Sequence, residues 1–320
     1  MSRCCSETDL INIVKQSKLV LITAHEFPDL DAVGSCLALR DYLIKQGKEV
    51  AVWLSHYPDE TCNFLPGISV IDTHLPEREY DTIFILDSSD ITRVKHHQSL
   101  SQYPHATKIN IDHHQDNTYF ADFNYIKSVS SVGELLTQWF KDINASFSSS
   151  MATCLYAAIL FDTGRFLHQN VTKHTLELAS FLVEKGANPA DIAQCIYENK
   201  TTIDFELLKL GLNRMVIHET LGYAYTTLPY PWPEGHLKVI DIMKWLKNIT
   251  VCLVFQELQD GFIKISLRSR YPFDVSAVAN HFGGGGHRLA SGIKLKGTLE
   301  EVEEMVITYV CNSLERFRER

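Results

Sequence analysis

The feature that most constrains this 320-residue chain is a pair of short apolar runs in its first half, residues 18–23 (KLVLIT) and 82–86 (TIFIL). Neither shows the alternation of a strand with one wet face, so each must be covered on both sides. Residues 50–54 and 108–111 read as further strands. Helical patterns occupy about 31–46, 131–141, 150–161 and 172–185, and Gly47 supplies a residue able to close the first of them in a left-handed conformation. Strands and helices in this alternation predict an α/β fold whose N-terminal, mostly parallel sheet is sandwiched by helices.

From Gly186 the pattern changes. GANP (186–189) breaks the helix, 190–214 reads as one or two polar-faced helices, and 221–227 as a strand. A helix at about 236–247 precedes two strands, 250–258 and 262–269, joined by Asp260-Gly261, a hairpin signal. A short helix at 274–282, a glycine run, a strand near 292–296 and a helix from about 299 follow. The expected organisation is a domain over 1–188, a helical linker over 189–212, and a smaller α/β domain with a mixed sheet over 213–320.

Hydrophobic residues at 45% and charged residues at 22% fit a chain with a real core. The net charge of −9 argues against a grip on long duplex nucleic acid, which takes a basic surface. No apolar run approaches the roughly 18–20 residues of a membrane span, and the first residues are polar. A cytoplasmic protein without membrane contact is expected. The eight cysteines are scattered without metal spacing and read as reduced core thiols.

Chemistry gathers where the strands end. His25, Asp29 and Asp31 follow the first strand, Asp87 ends another, Asp112-His113-His114 ends a third, and Asp162 follows an apolar helix pattern. In open parallel sheets ligands bind beyond the carboxyl ends of the strands, so these groups should converge. Five aspartates and three histidines crowded together would repel as bare anions. Divalent cations resolve that conflict, and a mixed carboxylate and imidazole set suits manganese, iron or zinc better than magnesium alone. Singly, Asp31 or Asp162 reads as a helix cap, and Ser131 with Glu134 as a capping box rather than a nucleophile. It is the concurrence that points to a dinuclear site.

The run Gly283–Gly286, followed by His287 and Arg288, lets backbone N–H groups approach an anion. No Gly-Lys-Ser or Gly-Lys-Thr is present at this run, so a Walker loop is not indicated. Arg268 and Arg270, at a strand end, could reach the same anion.

These stretches resemble the DHH phosphoesterase family, in the branch with a DHH-associated C-terminal domain. HEFPDLDAVGS (25–35), ILDSSD (85–90), NIDHHQDN (110–117), LFDTGRF (160–166) and FGGGGHRLASG (282–292) look like its motifs in order, and SSVGELL (130–136) and GANPADIAQCIYE (186–198) extend the likeness. Leu30 stands where many members have glycine. Within the family the chain is similar to the bifunctional oligoribonucleases and 3′,5′-bisphosphate nucleotide phosphatases, and to phosphodiesterases of linear and cyclic dinucleotides.

The resemblance implies two Mn²⁺ ions per subunit, with Mg²⁺, Co²⁺ or Fe²⁺ as alternatives. His25, Asp29 and Asp87 would hold one; Asp31, Asp87, His113 and Asp162 would hold the other, with Asp87 shared. Asp112 would orient a histidine, and His114 would contact the reacting phosphate. Arg268, Gly284, Gly285, Gly286, His287 and Arg288 would bind the rest of the nucleotide. The implied activity is hydrolysis of short RNA or DNA oligonucleotides, linear dinucleotides or pAp by a homodimer. Cyclic di-AMP hydrolysis is the runner-up, and a non-catalytic nucleotide sensor is the reading from another class.

Overall fold

The computed structural model describes residues 3–95, 97–233 and 239–318. The chain divides into two compact units, Met1–Asn199 and Lys200–Arg320. In the first, β1 (Arg3–Cys4), α1 (Glu7–Gln16), β2 (Leu19–Ala24), α2 (Leu30–Lys45), β3 (Glu49–Trp53), β4 (Ile71–Asp72), β5 (Thr82–Leu86), β6 (Thr107–Asp112) and β7 (Phe123–Ile126) come in order. Helices α3 (Val132–Asp142), α4 (Ser149–Asp162), α5 (Lys173–Glu184) and α6 (Pro189–Tyr197) complete it. The seven strands form one sheet, ordered β1-β7-β6-β5-β2-β3-β4, with every pair parallel.

The apolar runs explain this sheet. Register places Ile22 beside Phe84 and Phe84 beside Ile109, and that row packs under α2, α3 and α4 in the main core. The intervening Leu21, Ile83 and Ile85 turn the other way, against Trp53, Tyr80, Leu100 and Tyr103. Each such fully buried side chain contributes about 1.5–3 kcal/mol. Long helices cover only the first face; the second is closed by loops and the short turns Ile91–Arg93 and His97–Gln102.

Two glycines set how closely the helices pack. A Cβ on Gly34 of α2 would lie 2.5 Å from the carbonyl oxygen of Cys154 on α4. One on Gly133 of α3 would lie 2.6 Å from Cβ of Ala158, also on α4. Only a missing side chain permits either contact. Leu30, where glycine was expected from the resemblance, is the first residue of α2 and is buried in the core.

The second unit contains α7 (Thr202–Asn213), β8 (Val216–His218), β9 (Tyr223–Leu228), α8 (Val239–Met243), β10 (Val251–Glu257) and β11 (Phe262–Ser269). After these come α9 (Val275–His281), β12 (Gly285–His287), β13 (Ala290–Lys296) and α10 (Leu299–Arg318). Its mixed sheet runs β12-β13-β11-β10-β9-β8, parallel only between β9 and β10. Helices α9 and α10 cover one face, α7 and α8 the other.

Within the stretch read as a linker, α6 buries Ile192 and Ile196 in the first unit's core, whereas α7 buries Leu207 in the second's. Of the helix expected at 236–247, residues 236–238 lie outside the described residues. Among the described residues no helix is long and apolar enough to cross a membrane. All eight cysteines are free thiols.

Candidate metal centre

A parallel sheet brings the carboxyl ends of its strands to one edge, and the chemistry-bearing residues sit there. His25 follows β2, Asp87 follows β5, and Asp112 ends β6 with His113 and His114 next. Asp29 is the N-cap of α2: its Oδ1 accepts the N–H groups of Asp31 and Ala32 at 3.0 and 3.2 Å. Asp162 is the last residue of α4. Asp87 adopts a left-handed backbone, φ 52°, which aspartate tolerates better than most residues.

Side-chain donors meet in three sets, each within 4.8 Å: His25, Asp29 and Asp87; Asp31, His113 and Asp162; and Asp87, Asp112, His113 and His114. Asp87 belongs to two of them. Nε2 of His25 lies 3.4 Å from Asp87 Oδ2. Nε2 of His113 lies 3.5 Å from Asp87 Oδ1, 3.3 Å from Asp162 Oδ2 and 3.9 Å from Asp31 Oδ2. A charge-assisted hydrogen bond would be about 2.7–2.9 Å. Donors sharing one cation at about 2.1 Å stand roughly 3.0–3.5 Å apart, which these spacings match more closely.

Two further observations fit a cation. Asp87 Oδ1 is buried and has no hydrogen-bond partner. His113 directs Nδ1 at the carbonyl of Val129, 3.3 Å away, so Nε2 is the atom turned to the carboxylates. Among the described residues, the donor set suits a divalent metal.

Electrostatics state the same conflict. Burial, then the charge of Asp87, pushes the Asp31 carboxyl up to about 8. Burial, then Asp31, raises Asp162 well above the usual range, and burial, then Asp87, raises Asp29. Burial opposes the ionisation of Asp87, but the neighbouring His113 and His25 overcome it and hold the carboxyl low. Burial disfavours charge on His113 too, yet Asp87 and Asp31 carry it up to about 10. Without a cation, the cluster balances its charge by holding protons.

Asp112 is fully buried; its Oδ1 accepts from His114 Nδ1 at 2.7 Å, and its Oδ2 accepts from Asn117 Nδ2 at 2.6 Å. Asn117 also donates to Asn110 Oδ1, and Asn110 in turn to the carbonyls of Ile85 and Ser88. This network anchors the residues after β6 to those after β5. Asn110 and Asn117 stood inside a quoted motif, but their spacing alone gave them no task.

Sequence reasoning also missed what holds Asp31. Its Oδ2 accepts the N–H of Val132 at 2.8 Å, and its Oδ1 accepts the N–H of Gly133 at 2.9 Å. The N-terminus of α3 thus clamps the carboxylate, with its dipole favouring the anion. Ser131 caps α3 by accepting from Glu134 N–H at 2.9 Å, as expected. The Glu134 carboxylate departs from a full capping box: it reaches back to the N–H and hydroxyl of Ser130 and accepts from Thr175. That buried carboxylate holds the turn carrying both amides.

In the second unit, β12, β13 and β11 pair so that His287, Ala290 and Arg268 lie in one row on one face. Gly285 and Gly286 are part of edge strand β12. A Cβ on Gly284 would meet the carbonyl oxygen of Gly292 at 2.2 Å, so the glycines serve close strand pairing. Arg268 Nε stands 3.8 Å from Asp241. Arg288 donates to the carbonyl of Pro272, and Arg270 to those of Lys244 and Leu246.

Asp31 and His113 both have folded-state pKa values above their unfolded ones, so the stability they contribute is full at low pH and is lost as pH rises toward about 8 and about 10. The melting midpoint of chelator-treated protein should therefore fall between about pH 6 and 9, and added divalent cation should restore it, more so at the higher pH. Thermal scans with and without chelator check this; a midpoint that rises with pH in chelator refutes it. Val132 is the first residue of α3, where proline is tolerated, and Ser131 before it is extended. Val132→Pro, which removes one N–H from Asp31, should weaken divalent-cation binding by about tenfold or more relative to Val132→Ala. Titration calorimetry of both variants decides it, and equal affinities would show that the amide does not matter.

Comparison with known proteins agrees with this geometry. Residues 19–159 match the model of the DHH family, N-terminal domain, and residues 221–311 match the DHHA1 domain. The chain is 25% identical over 304 residues to the bifunctional oligoribonuclease and PAP phosphatase NrnA of Bacillus subtilis, covering 90% of this chain and 93% of that protein. It is 28% identical over 313 residues to the protein of the same name from Thermus thermophilus, covering 93% and 90%. An exopolyphosphatase-related protein from Bacteroides fragilis superimposes with a TM-score of 0.91 at 25% identity, over 98% of this chain and 97% of that one. With the two domain models matched in order, the chain carries a DHH-family N-terminal domain followed by a DHHA1 domain.

Proposed function

We propose that this protein is a metal-dependent phosphoesterase that hydrolyses short oligonucleotides and linear dinucleotides, and also pAp. The observation that carries the reading is the position of Asp87, which belongs both to the His25 and Asp29 set and, at 3.5 Å from its Oδ1, to the environment of His113. Relatives named as oligoribonucleases and PAP phosphatases across nearly their whole length support the substrate class. The net charge of −9 favours short substrates over long duplexes.

A pair of divalent cations, Mn²⁺ in this reading, would be held by His25, Asp29 and Asp87 and by Asp31, Asp87, His113 and Asp162. When bound, such a pair supplies Lewis acidity and a nucleophile from water at neutral pH. The remaining work falls to the chain. Asp87, fixed by its strand end, spans the two sets. The α3 amides keep Asp31 in one orientation. Asp112 holds the imidazole of His114 through Nδ1, and we assign His114 to the reacting phosphate. In the second unit, the row of Arg268 and His287 suits the phosphates of the remaining nucleotide, with Gly284–Gly286 and Arg288 as its setting.

The defining experiment compares catalytic efficiency on pAp, pApA, short RNA, cyclic di-AMP and pyrophosphate with Mn²⁺, Mg²⁺ or Co²⁺. Release of phosphate or mononucleotide from pAp, pApA and short RNA is expected; activity confined to pyrophosphate or cyclic di-AMP would overturn the reading. Asp87→Asn preserves shape but removes the shared charge. It should lower kcat by more than the roughly 10–100-fold typical of losing only a supporting partner, with an unchanged circular-dichroism spectrum. Near-normal turnover would remove Asp87 from its role. Arg268→Ala should raise KM and flatten the preference along a series from two to five nucleotides while leaving kcat close to wild type; identical KM values across the series would refute the assignment.

A further inference from the structure

The first unit carries large aromatic side chains in and around its core, yet among its described residues only Phe27, Tyr57 and Tyr119 are exposed, at 71%, 55% and 43%. All three lie on loops at one edge. Phe27 follows β2 and Tyr57 follows β3; Tyr119 comes after β6, beside Thr118, whose N–H donates to the carbonyl of Ser89 next to the end of β5. That is the edge where the carboxylates and histidines converge. Aromatic rings in water beside a phosphoester centre ask what covers them.

Phe27 is the most exposed of the three, yet its ring is held from behind. Its ring stacks on His56, with centroids 5.0 Å apart and planes within 17°. His56 is itself fixed at both nitrogens: Nδ1 lies 2.9 Å from the carbonyl oxygen of Glu26, and Nε2 lies 3.1 Å from Lys95 Nζ. With Nδ1 facing the carbonyl and Nε2 facing the ammonium, the orientation of this imidazole is fixed. It backs the Phe27 ring. Lys95 also pairs with Glu26 at 3.4 Å, and the Glu26 N–H donates to the carbonyl of Arg93 at 2.7 Å, tying the platform to the loop after β5.

The position is equally specific. Phe27 stands two residues from His25 and two from Asp29, so its Cα is at most about 7 Å along the chain from either. A flat, pre-ordered apolar face at that distance from a phosphoryl site, with the exposed Arg93 on the adjoining loop, matches one ligand chemistry: an aromatic base attached to a phosphate through a sugar. Aromatic faces accept any base, and pre-ordering reduces the entropy lost on binding.

We propose that Phe27, backed by His56, is a stacking platform for the nucleobase of the nucleotide whose phosphate reacts, so that the first unit recognises base as well as phosphate. The inference rests on the phosphoesterase reading for its ligand, and its test does not depend on turnover. Binding of AMP and of ribose 5-phosphate to the full-length protein is measured by calorimetry in the presence of Ca²⁺, for wild type, Phe27→Ala and Phe27→Trp. AMP should bind wild type more tightly than ribose 5-phosphate. Phe27→Ala should lose about fivefold or more in AMP affinity, Phe27→Trp should keep it, and ribose 5-phosphate should be indifferent to both changes. AMP affinity unchanged in Phe27→Ala, equal losses for the two ligands, or a wild type that does not distinguish them would each overturn the platform. Steady-state kinetics separates this from the parent reading: a wild type that hydrolyses pApA, with no rise in KM in Phe27→Ala, sinks the platform alone, whereas a wild type inactive on every phosphoester sinks the phosphoesterase.

Discussion

Five aspartate side chains meeting at one edge of a buried sheet is the constraint around which the first unit is built. Such a cluster is unfavourable unless positive charge enters it, and the protein supplies only part from His25 and His113. Burial and mutual repulsion raise the pKa values of Asp31, Asp162 and Asp29, so the cation-free cluster favours protons on these carboxyls. A divalent cation would compete with such protons, so metal binding, pH and stability would form one linked equilibrium.

The cluster holds its geometry because its supports are not flexible side chains. Asp31 is gripped by two backbone amides, and these stay in place because Gly133 and Gly34 let α3 and α2 press against α4. Glu134 is buried for the same purpose, joined to Ser130 and Thr175. Helix packing is thereby converted into the orientation of a single carboxylate. A methyl group at either glycine would be felt at the candidate metal centre although neither glycine has a side chain to hold a metal.

The two units differ in the chemistry they gather. The first concentrates negative charge and imidazole at one sheet edge and sets exposed aromatic rings around it. The second places Arg268 and His287 in one row of a mixed sheet, where cross-strand register rather than loop flexibility aligns them. For the glycines read from the sequence as an anion-binding loop, the structure shows a packing demand: Gly284 lies too near the backbone of Gly292 for any side chain.

Much of this was determined by sequence alone. Unbroken apolar runs demanded a covered parallel sheet, and such a sheet forces its strand ends to one edge, so His25, Asp87 and His113 could be grouped without coordinates. Strand β12 escaped notice because glycine has no strand propensity; pairing with β13 creates that strand. The clamp on Asp31 was equally invisible, since backbone amides leave no trace in residue identity. Tertiary structure alone brought Asn110 to the carbonyls of Ile85 and Ser88 and Glu134 to Thr175, and it alone revealed that Phe27 rests on a histidine with both nitrogens engaged. Periodicity records which face of an element is buried; which polar atom meets which follows only from how closely those faces approach.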